Sequence, residues 1–271
     1  MKNINCKIII ASHKVCQVPS DEIYQPVLVG ASVHSDLQIP PNWVKDDNGE
    51  NISSLNPYFC ELTGLYWAWK NLSSDYIGLV HYRRFFSFNK NKKNYLSTVL
   101  SRKEIDKFLE CKKIFVPNKR KYYIETIYSH YCHNHYSSHL DISREIISDK
   151  YPEYISSFDK VMKRRWAYMF NMMIMKKDLL DDYCSWLFDI LFELQKRISP
   201  DGLSKFQARF YGRVSELLFN VWLENELSNK KISIDQILEI PCIHADKVNW
   251  IKKGTIFLAA KFLGIKPTKS C

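Results

Sequence analysis

Short apolar runs alternate with amphipathic stretches along this chain. The runs predict buried strands at residues 7–12, 27–31, 76–81, 113–117, 167–175 and 232–240. Apolar residues at helical spacing predict helices at 56–69, 101–111, 142–150, 153–164, 178–198 and 214–227. Strands that alternate with helices are typical of an α/β sandwich, and no internal repeat or linker divides it, so we expect one domain.

Local signals mark the ends of two of these helices. Asn56 followed by Pro57 predicts an N-cap and a first helical position, and Ser101 with Glu104 has the spacing of a capping box. The polar stretches 34–53 and 87–100 predict loops.

Composition narrows the class of protein. With 271 residues, 46% hydrophobic and 14% aromatic, the chain can bury a large core. Its net charge of +10 favours an anionic partner. Eight cysteines without a C-x-x-C pair, and no signal peptide, indicate reduced thiols in a cytoplasmic protein. No uncharged apolar run is long enough to span a membrane.

The C-terminal segment 246–271 mixes aromatic and aliphatic residues with lysines. Two interpretations stay open: a tail that lies on the anionic inner face of the cell membrane, or a helix that packs on the domain with its lysines in water.

A group of nitrogen-rich side chains follows the strand at 76–81. His81, Tyr82, Arg83 and Arg84 come where this strand ends. Ligands of open α/β sheets gather at the carboxyl ends of strands, and an arginine binds two phosphate oxygens at once. The segment therefore predicts a site for a phosphorylated ligand; a solvated basic turn is the alternative.

A second group combines Cys132 with His133, His135 and His139. It allows a zinc site, a histidine-lined wall of a substrate cleft, or a partly exposed histidine-rich helix. The sequence supplies no closing ligand nearby, and zinc needs three or four converging ligands, so no metal site is predicted.

Several segments together resemble a bacterial family of capsular and exopolysaccharide glycosyltransferases, long labelled only as a domain of unknown function. The resemblance covers roughly residues 5–225 and is carried by two long blocks, Glu61-Leu-Thr-Gly-Leu-Tyr-Trp-Ala-Trp-Lys-Asn71 and Gly78-Leu-Val-His-Tyr-Arg-Arg-Phe85. Shorter blocks are Ala11-Ser-His-Lys14, Tyr151-Pro-Glu-Tyr154, Tyr168-Met-Phe-Asn-Met-Met173 and Gly212-Arg-Val-Ser-Glu-Leu-Leu218.

This resemblance implies a GT-A-like nucleotide-binding sandwich at 1–245, with a mixed, mostly parallel central sheet and flanking helices. It implies transfer of galactose, in pyranose or furanose form, from a UDP-sugar to a lipid-linked or growing polysaccharide. Ordinary GT-A enzymes hold a divalent metal with Asp-x-Asp after such a strand. Here His81-Tyr82-Arg83-Arg84 stands in its place, so metal dependence is in doubt.

The resemblance also assigns the donor side. Arg83 and Arg84, with His81, would stabilise the leaving diphosphate in place of the metal, and Tyr82 is a further donor-binding candidate. His13 and Lys14 would meet the nucleobase and ribose. Four further donor-side candidates share one helix and cannot all touch one ligand, because neighbouring positions face different directions: Asn56, Glu61, Thr63 and Lys70. Asn56 as a cap and Lys70 as a dipole partner are the alternatives.

On the acceptor side, Glu216 is the candidate general base, if the reaction inverts stereochemistry. A salt bridge to a nearby arginine or a helix-dipole role is the alternative, and Asp141 and Asp46 are weaker candidates. Asn171, His135 and His139 are candidate acceptor-binding residues.

Two other function classes stay open. Positive charge and many tyrosines allow a nucleic-acid-binding protein, although the chain has no recognisable motif for one and its basic residues are dispersed. A noncatalytic scaffold of a polysaccharide assembly complex is the other alternative. The sequence does not predict the linkage, the anomeric outcome or the oligomeric state.

Overall fold

The computed structural model describes residues 4–34, 36–89 and 95–245. These residues form two compact units. The first unit takes its described residues from 4–118, 170–184 and 232–245, and the second comprises 119–169 and 185–231. The predicted tail 246–271 and its membrane role lie outside the described residues.

Eleven strands occur within the described ranges. In chain order they are β1 (Cys6–Ser12), β2 (Tyr24–Leu28), β3 (Val44–Lys45), β4 (Tyr76–His81), β5 (Arg84–Phe86), β6 (Ile114–Pro117), β7 (Arg120–Lys121), β8 (Trp166–Ala167), β9 (Met173–Lys176), β10 (Ile237–Ile240) and β11 (Cys242–His244).

The central sheet lies in the first unit. Its order is β10-β6-β9-β4-β1-β2-β3, and β5 joins β4 to β11. Only β5 and β9 run against the common direction of the sheet strands in the described part of the chain. The predicted mixed, mostly parallel sheet with flanking helices is therefore confirmed.

Parallel pairing brings two strand ends together. β1 and β4 pair in register from Cys6 opposite Tyr76 to Ala11 opposite His81. Both strands are nearly continuous apolar runs with both faces covered, as expected of central parallel strands. The residues that follow β1 and β4 consequently emerge at one edge of the sheet.

The first unit carries α1 (Asn56–Phe59), α2 (Leu62–Asn71) and α3 (Arg102–Leu109). The capping box predicted at Ser101 and Glu104 precedes α3 and is confirmed. The single helix predicted over 56–69 is wrong, because Cys60 adopts a left-handed backbone (φ 55°) that ends α1. An apolar period can continue through such a one-residue break, so the sequence pattern did not show it.

Asn56 is not the predicted N-cap. It is the first residue of α1, and its side-chain amide donates to the Cys60 carbonyl (2.8 Å) and to Thr63 Oγ1 (3.1 Å). The amide therefore ties α1 to α2 across the break.

The second unit contains α4 (Ile127–Asn134), α5 (Ser138–Lys150), α6 (Ile155–Met162) and α8 (Phe210–Ser228). The long helix α7 (Lys177–Arg197) begins in the first unit and continues in the second. Strands β7 and β8 pair in the second unit as a two-stranded antiparallel ribbon. Buried polar contacts, such as Ser157 to Asn225 and Tyr154 to Glu226, join α6 and its preceding turn to α8.

Three predicted strands differ from the structure. The run at 167–175 is interrupted by Phe170 (φ 78°) and Asn171 (φ 50°), which separate β8 from β9. The second strand begins three residues earlier than predicted, at Tyr24, and the last begins at Ile237 after a 3₁₀ turn. Left-handed and 3₁₀ residues interrupt a strand without changing its apolar composition, which explains the first and the last of these errors. The start of β2 was missed because Gln25 and Pro26 precede its apolar run.

The described cysteines are all free thiols, and burial raises the pKa of Cys6 and of Cys242 to about 12. Within the ranges the structure covers, no helix has the length and apolar character of a membrane span.

Candidate functional site

A cluster of cations surrounds Tyr82 at the edge where β1 and β4 end. The rings of His13 and Tyr82 meet edge to face, 5.3 Å between centroids. Lys14 Nζ lies 5.5 Å from the Tyr82 centroid, and the Arg83 guanidinium carbon lies 4.8 Å from it. The structure thus brings together two segments that are about 70 residues apart in the chain and that sequence analysis had assigned to one ligand.

Arg84 lies on the other side of the same turn. Its guanidinium carbon is 4.4 Å from the ring centroid of Phe170, and it pairs with His81 and His244 through β5. Its Nε is buried and has no hydrogen-bond partner among the described residues. A buried donor left unpaired costs about 1–3 kcal/mol, so this position favours an acceptor supplied by a ligand.

His81 holds the turn that contains Phe170. Its Nε2 lies 2.5 Å from the carbonyl oxygen of Phe170, which requires the ring N–H to donate. Burial lowers the pKa of His81, the Glu61 carboxylate opposes that change, and Arg84 adds to it. A neutral ring that donates to a carbonyl positions the turn and adds no positive charge to the cluster.

The turn at Phe170 and Asn171 connects to the break between α1 and α2. Asn171 is buried, and its Nδ2 donates to Glu61 Oε1 at 2.7 Å. Two successive left-handed non-glycine residues are strained, of order 1–3 kcal/mol each, and such strain gathers at ligand sites. Glu61, His81, Arg84 and Asn171 therefore form one connected group.

The other donor-side candidates, Asn56, Thr63 and Lys70, lie in two different places. Thr63 is buried and bonded to Asn56 and to the Cys60 carbonyl, so both side chains are part of the helix junction. Lys70 lies about 13 Å along the helix from Glu61, pairs with Glu50 at 3.0 Å and covers the Trp69 ring at 4.0 Å. Donor roles for these three residues stay predictions.

The helix α8 begins at Phe210, four residues before the predicted start, so Glu216 lies on its second turn. The side chain of Glu216 is half-buried there. Burial raises the pKa of Tyr122 to about 12, against the effect of Arg120 and with the help of the Glu216 carboxylate. Glu216 is therefore close enough to influence Tyr122 electrostatically. Its role as a general base stays a prediction.

His135 and His139 have partners within the second unit. His135 Nδ1 lies 2.8 Å from Gln207 Oε1, and His139 Nδ1 lies 2.9 Å from the Tyr131 hydroxyl. The His139 ring stacks on Phe210, with 4.0 Å between centroids. These contacts give both rings a packing role, and acceptor binding by either one stays a prediction.

Sequence analysis missed a buried carboxylate between two histidines. Glu125 is 4% exposed, with His130 Nδ1 at 3.0 Å and His133 Nδ1 at 2.7 Å. Burial lowers the pKa of His130, and the hydrogen bond to Glu125 opposes that change. The i, i+3 spacing of the two histidines, which puts them on one face of α4, is the sequence signal for this group.

The two weaker base candidates differ in exposure. Asp46 is fully buried and accepts hydrogen bonds from the Gly30 and Ala31 backbone and from Ser53, so it organises a turn. Asp141 is exposed and accepts from the Tyr128 hydroxyl.

No group of three or more His, Cys, Asp or Glu side chains that could hold a metal occurs in the parts of the chain that the structure covers. At the end of β4 the side chains are cationic or aromatic, and hard divalent cations require oxygen ligands. The one carboxylate in the connected group, Glu61, is bonded to Asn171. This donor set does not fit the divalent metal of ordinary GT-A enzymes.

The chain belongs to a family described as a domain of unknown function, DUF4422, whose family model matches residues 7–229. The predicted family resemblance is therefore confirmed. The structure is similar to the apo structure of WbbM, a bifunctional glycosyltransferase, with 26% sequence identity and a TM-score of 0.80. That match covers 90% of this chain and 46% of the WbbM chain, so this chain spans about half the length of that relative. No curated protein gives a significant match.

Proposed function

We propose that the protein is a GT-A-like glycosyltransferase whose donor diphosphate binds at the cation cluster of β1 and β4. The observation that carries the proposal is the buried, unpartnered Nε of Arg84 beside the cations around Tyr82. Similarity to WbbM over 90% of the chain supports the same class of reaction.

The reaction breaks the bond between the anomeric carbon and the diphosphate oxygen of the donor. A bond forms between that carbon and an acceptor hydroxyl oxygen, and the hydroxyl proton passes to a general base, for which Glu216 is the candidate. Negative charge grows on the departing diphosphate, where Arg83, Arg84 and Lys14 stabilise it without a metal. His81 contributes by holding the Phe170 turn, because a neutral ring that donates to a carbonyl cannot add charge.

His13, which packs edge to face on Tyr82, would meet the nucleobase and ribose of the donor together with Lys14. Glu61, which accepts a hydrogen bond from Asn171, would also accept hydrogen bonds from ribose or sugar hydroxyls. Asn56, Thr63 and Lys70 serve this side indirectly, through the α1–α2 junction and the far end of α2. For the acceptor we retain Asn171, His135 and His139 as candidates, and the two histidines act by shaping the α4–α5 region.

The finer assignment follows from the family resemblance. The donor is a UDP-sugar, with galactose in pyranose or furanose form as the sugar. The acceptor is a lipid-linked or growing glycan of capsule, O-antigen or exopolysaccharide synthesis. The enzyme acts in the cytoplasm, peripherally at the inner face of the cell membrane, and needs no specific nucleic acid.

The test is a turnover and thermal-shift screen of UDP-sugars, with and without EDTA. One UDP-sugar should raise the melting temperature and be hydrolysed or transferred at a rate that EDTA leaves unchanged. Absence of binding and turnover with every UDP-sugar would favour the noncatalytic scaffold.

Variants of Arg84 connect the activity to the site. Arg84→Ala should lower turnover about 100-fold, and Arg84→Lys should recover little, since a point charge does not reproduce a planar fork. The matched control is Arg144→Ala, which removes an exposed arginine paired with Asp159. An Arg84→Ala enzyme with about half the wild-type turnover would refute the role of this residue.

A further inference from the structure

The two-stranded ribbon of the second unit has an unusual composition. We define the basic ribbon as residues 119–124 and 163–167, which contain β7 and β8. These segments carry six cationic residues and no acidic residue: Lys119, Arg120, Lys121, Lys163, Arg164 and Arg165. Four of the six are exposed, namely Arg120, Lys121, Lys163 and Arg165.

Two large apolar side chains follow β7 in this ribbon. Tyr123 is 76% exposed and Ile124 is 69% exposed, more than any other large apolar side chain within the described residues. Single exposed apolar residues are normal on protein surfaces, whereas exposed apolar side chains that lie together and are rimmed by polar residues are more typical of interaction sites.

The backbone fixes this exposure. Tyr123 has a left-handed backbone (φ 55°), which is uncommon for an aromatic residue. Arg165 Nη1 donates to the Tyr123 carbonyl at 3.2 Å, and the Tyr122 amide donates to the Arg165 carbonyl at 2.8 Å. The Ile124 amide donates to the Tyr122 carbonyl at 2.6 Å. The two side chains are therefore held outward by the same residues that supply the charge.

Two further aromatic rings of the ribbon, Trp166 and Tyr122, make cation–π contacts with its basic side chains. Lys119 Nζ lies 4.7 Å from the Trp166 centroid, and the Arg120 guanidinium lies 5.3 Å from that of Tyr122. Arg164 is paired with Glu224, so its charge is partly neutralised. Net positive charge consequently remains around the exposed pair.

We propose that the basic ribbon is a contact surface for an anionic lipid bilayer. Exposed arginines and lysines would meet the headgroup phosphates, Tyr123 would lie at headgroup level, and Ile124 would enter the acyl boundary. A nucleic acid could bind the cations and a glycan could stack on the tyrosine ring, but neither would contact an exposed isoleucine such as Ile124 favourably. The surface is defined by residues of β7 and β8 and by none of the C-terminal segment, and its test does not depend on the proposed transfer reaction.

The experiment is co-sedimentation of the 271-residue protein with vesicles of phosphatidylcholine alone or of phosphatidylcholine with phosphatidylglycerol. We expect binding to the anionic vesicles only. The double variant Tyr123→Ser/Ile124→Ser should bind about tenfold more weakly, and Lys121→Gln should bind about five-fold more weakly. Tyr123→Trp should strengthen binding, because tryptophan prefers the membrane interface.

Matched controls use residues of the same kind outside the ribbon. Ile234→Ser removes an isolated exposed isoleucine (66% exposed), and Lys230→Gln removes an exposed lysine. Both should bind vesicles as the wild type does. Circular dichroism and the melting temperature would identify any variant that fails to fold, and Tyr123→Trp tests the surface by a gain of binding.

The outcomes separate the proposal from its alternatives. Ribbon variants that bind anionic vesicles as tightly as the wild type would overturn it, and would leave the tail as the candidate. Unchanged vesicle binding together with a raised KM for the glycan acceptor would identify the ribbon as a carbohydrate surface instead. Because sedimentation needs no turnover, loss of the glycosyltransferase proposal would not affect this result.

Discussion

At the scale of single residues, Arg84 and His81 separate two tasks that the sequence motif presented as one. The buried Nε of Arg84 has no hydrogen-bond acceptor among the described residues, whereas the ring N–H of His81 donates to the Phe170 carbonyl. The first arrangement favours a ligand anion and the second favours a fixed turn. Of the two, only the arginine is suited to oppose charge that develops on a leaving group.

The proposed base can be tested by removing its charge at constant shape. Glu216→Gln should lower the rate of sugar transfer by about 100-fold or more, because the acceptor hydroxyl loses its proton acceptor, and the donor KM should not change. Steady-state transfer assays measure both. Glu145→Gln, an exposed glutamate on α5, is the control. Near-normal transfer by Glu216→Gln would reject the assignment.

The lowered pKa of His81 predicts a dependence of stability on pH. The folded state binds this proton more weakly than the unfolded state, in which the pKa is about 6.5. The unfolded state therefore takes up more protons below pH 6.5, and the free energy of unfolding falls as the pH falls.

Denaturant titrations between about pH 5 and 7 measure this slope, and His81→Gln should show a smaller one than the wild type. His130 also has a lowered pKa, so the comparison between the two proteins isolates His81. Equal slopes would mean that His81 does not titrate differently on folding.

At the scale of elements, β4 depends on a glycine. A Cβ at Gly78 would lie 2.7 Å from Ile174 Cγ1 and 3.0 Å from the Met173 carbonyl oxygen on the neighbouring strand β9. The absence of a side chain at Gly78 therefore allows β4, which leads to His81 and Arg84, and β9, which follows the Phe170 turn, to approach closely.

Gly78→Ala should lower the free energy of unfolding by about 3 kcal/mol, because strand β9 must shift. Gly202→Ala is the comparison: an added Cβ there meets nothing within 4 Å, and only its left-handed backbone (φ 76°) costs about 1 kcal/mol. Thermal and denaturant unfolding measure both. A Gly78→Ala protein no less stable than Gly202→Ala would contradict the packing argument.

At the scale of the whole molecule, net charge bears on the nucleic-acid alternative. A charge of +10 attracts any polyanion at low ionic strength, and salt weakens that attraction steeply. We expect oligonucleotides to bind only weakly in a fluorescence anisotropy assay and to be released at about 150 mM salt. Tight binding at that ionic strength would instead support a nucleic-acid-binding function.

The sequence determined where much of the sheet lies. β1, β4 and β6 are contiguous apolar runs, and a run of this kind is a local property that survives folding unchanged. The position of His13, Lys14, Arg83 and Arg84 at strand ends follows from the same runs, whereas the family was expected from the resemblance of particular sequence blocks. The boundaries failed at Cys60, Phe170 and Asn171, where left-handed backbones change direction without changing the apolar pattern.

Only the tertiary structure decided which of the candidate residues meet. Asn171 and Glu61 are 110 residues apart in the chain and His81 and Phe170 are 89 apart, yet each pair is hydrogen-bonded. Contacts at such separations depend on how the antiparallel strand β9 enters between β4 and β6, which no periodicity along the chain encodes. Surrounding packing must also offset the strain of the two left-handed residues, and that compensation exists only in the folded sheet.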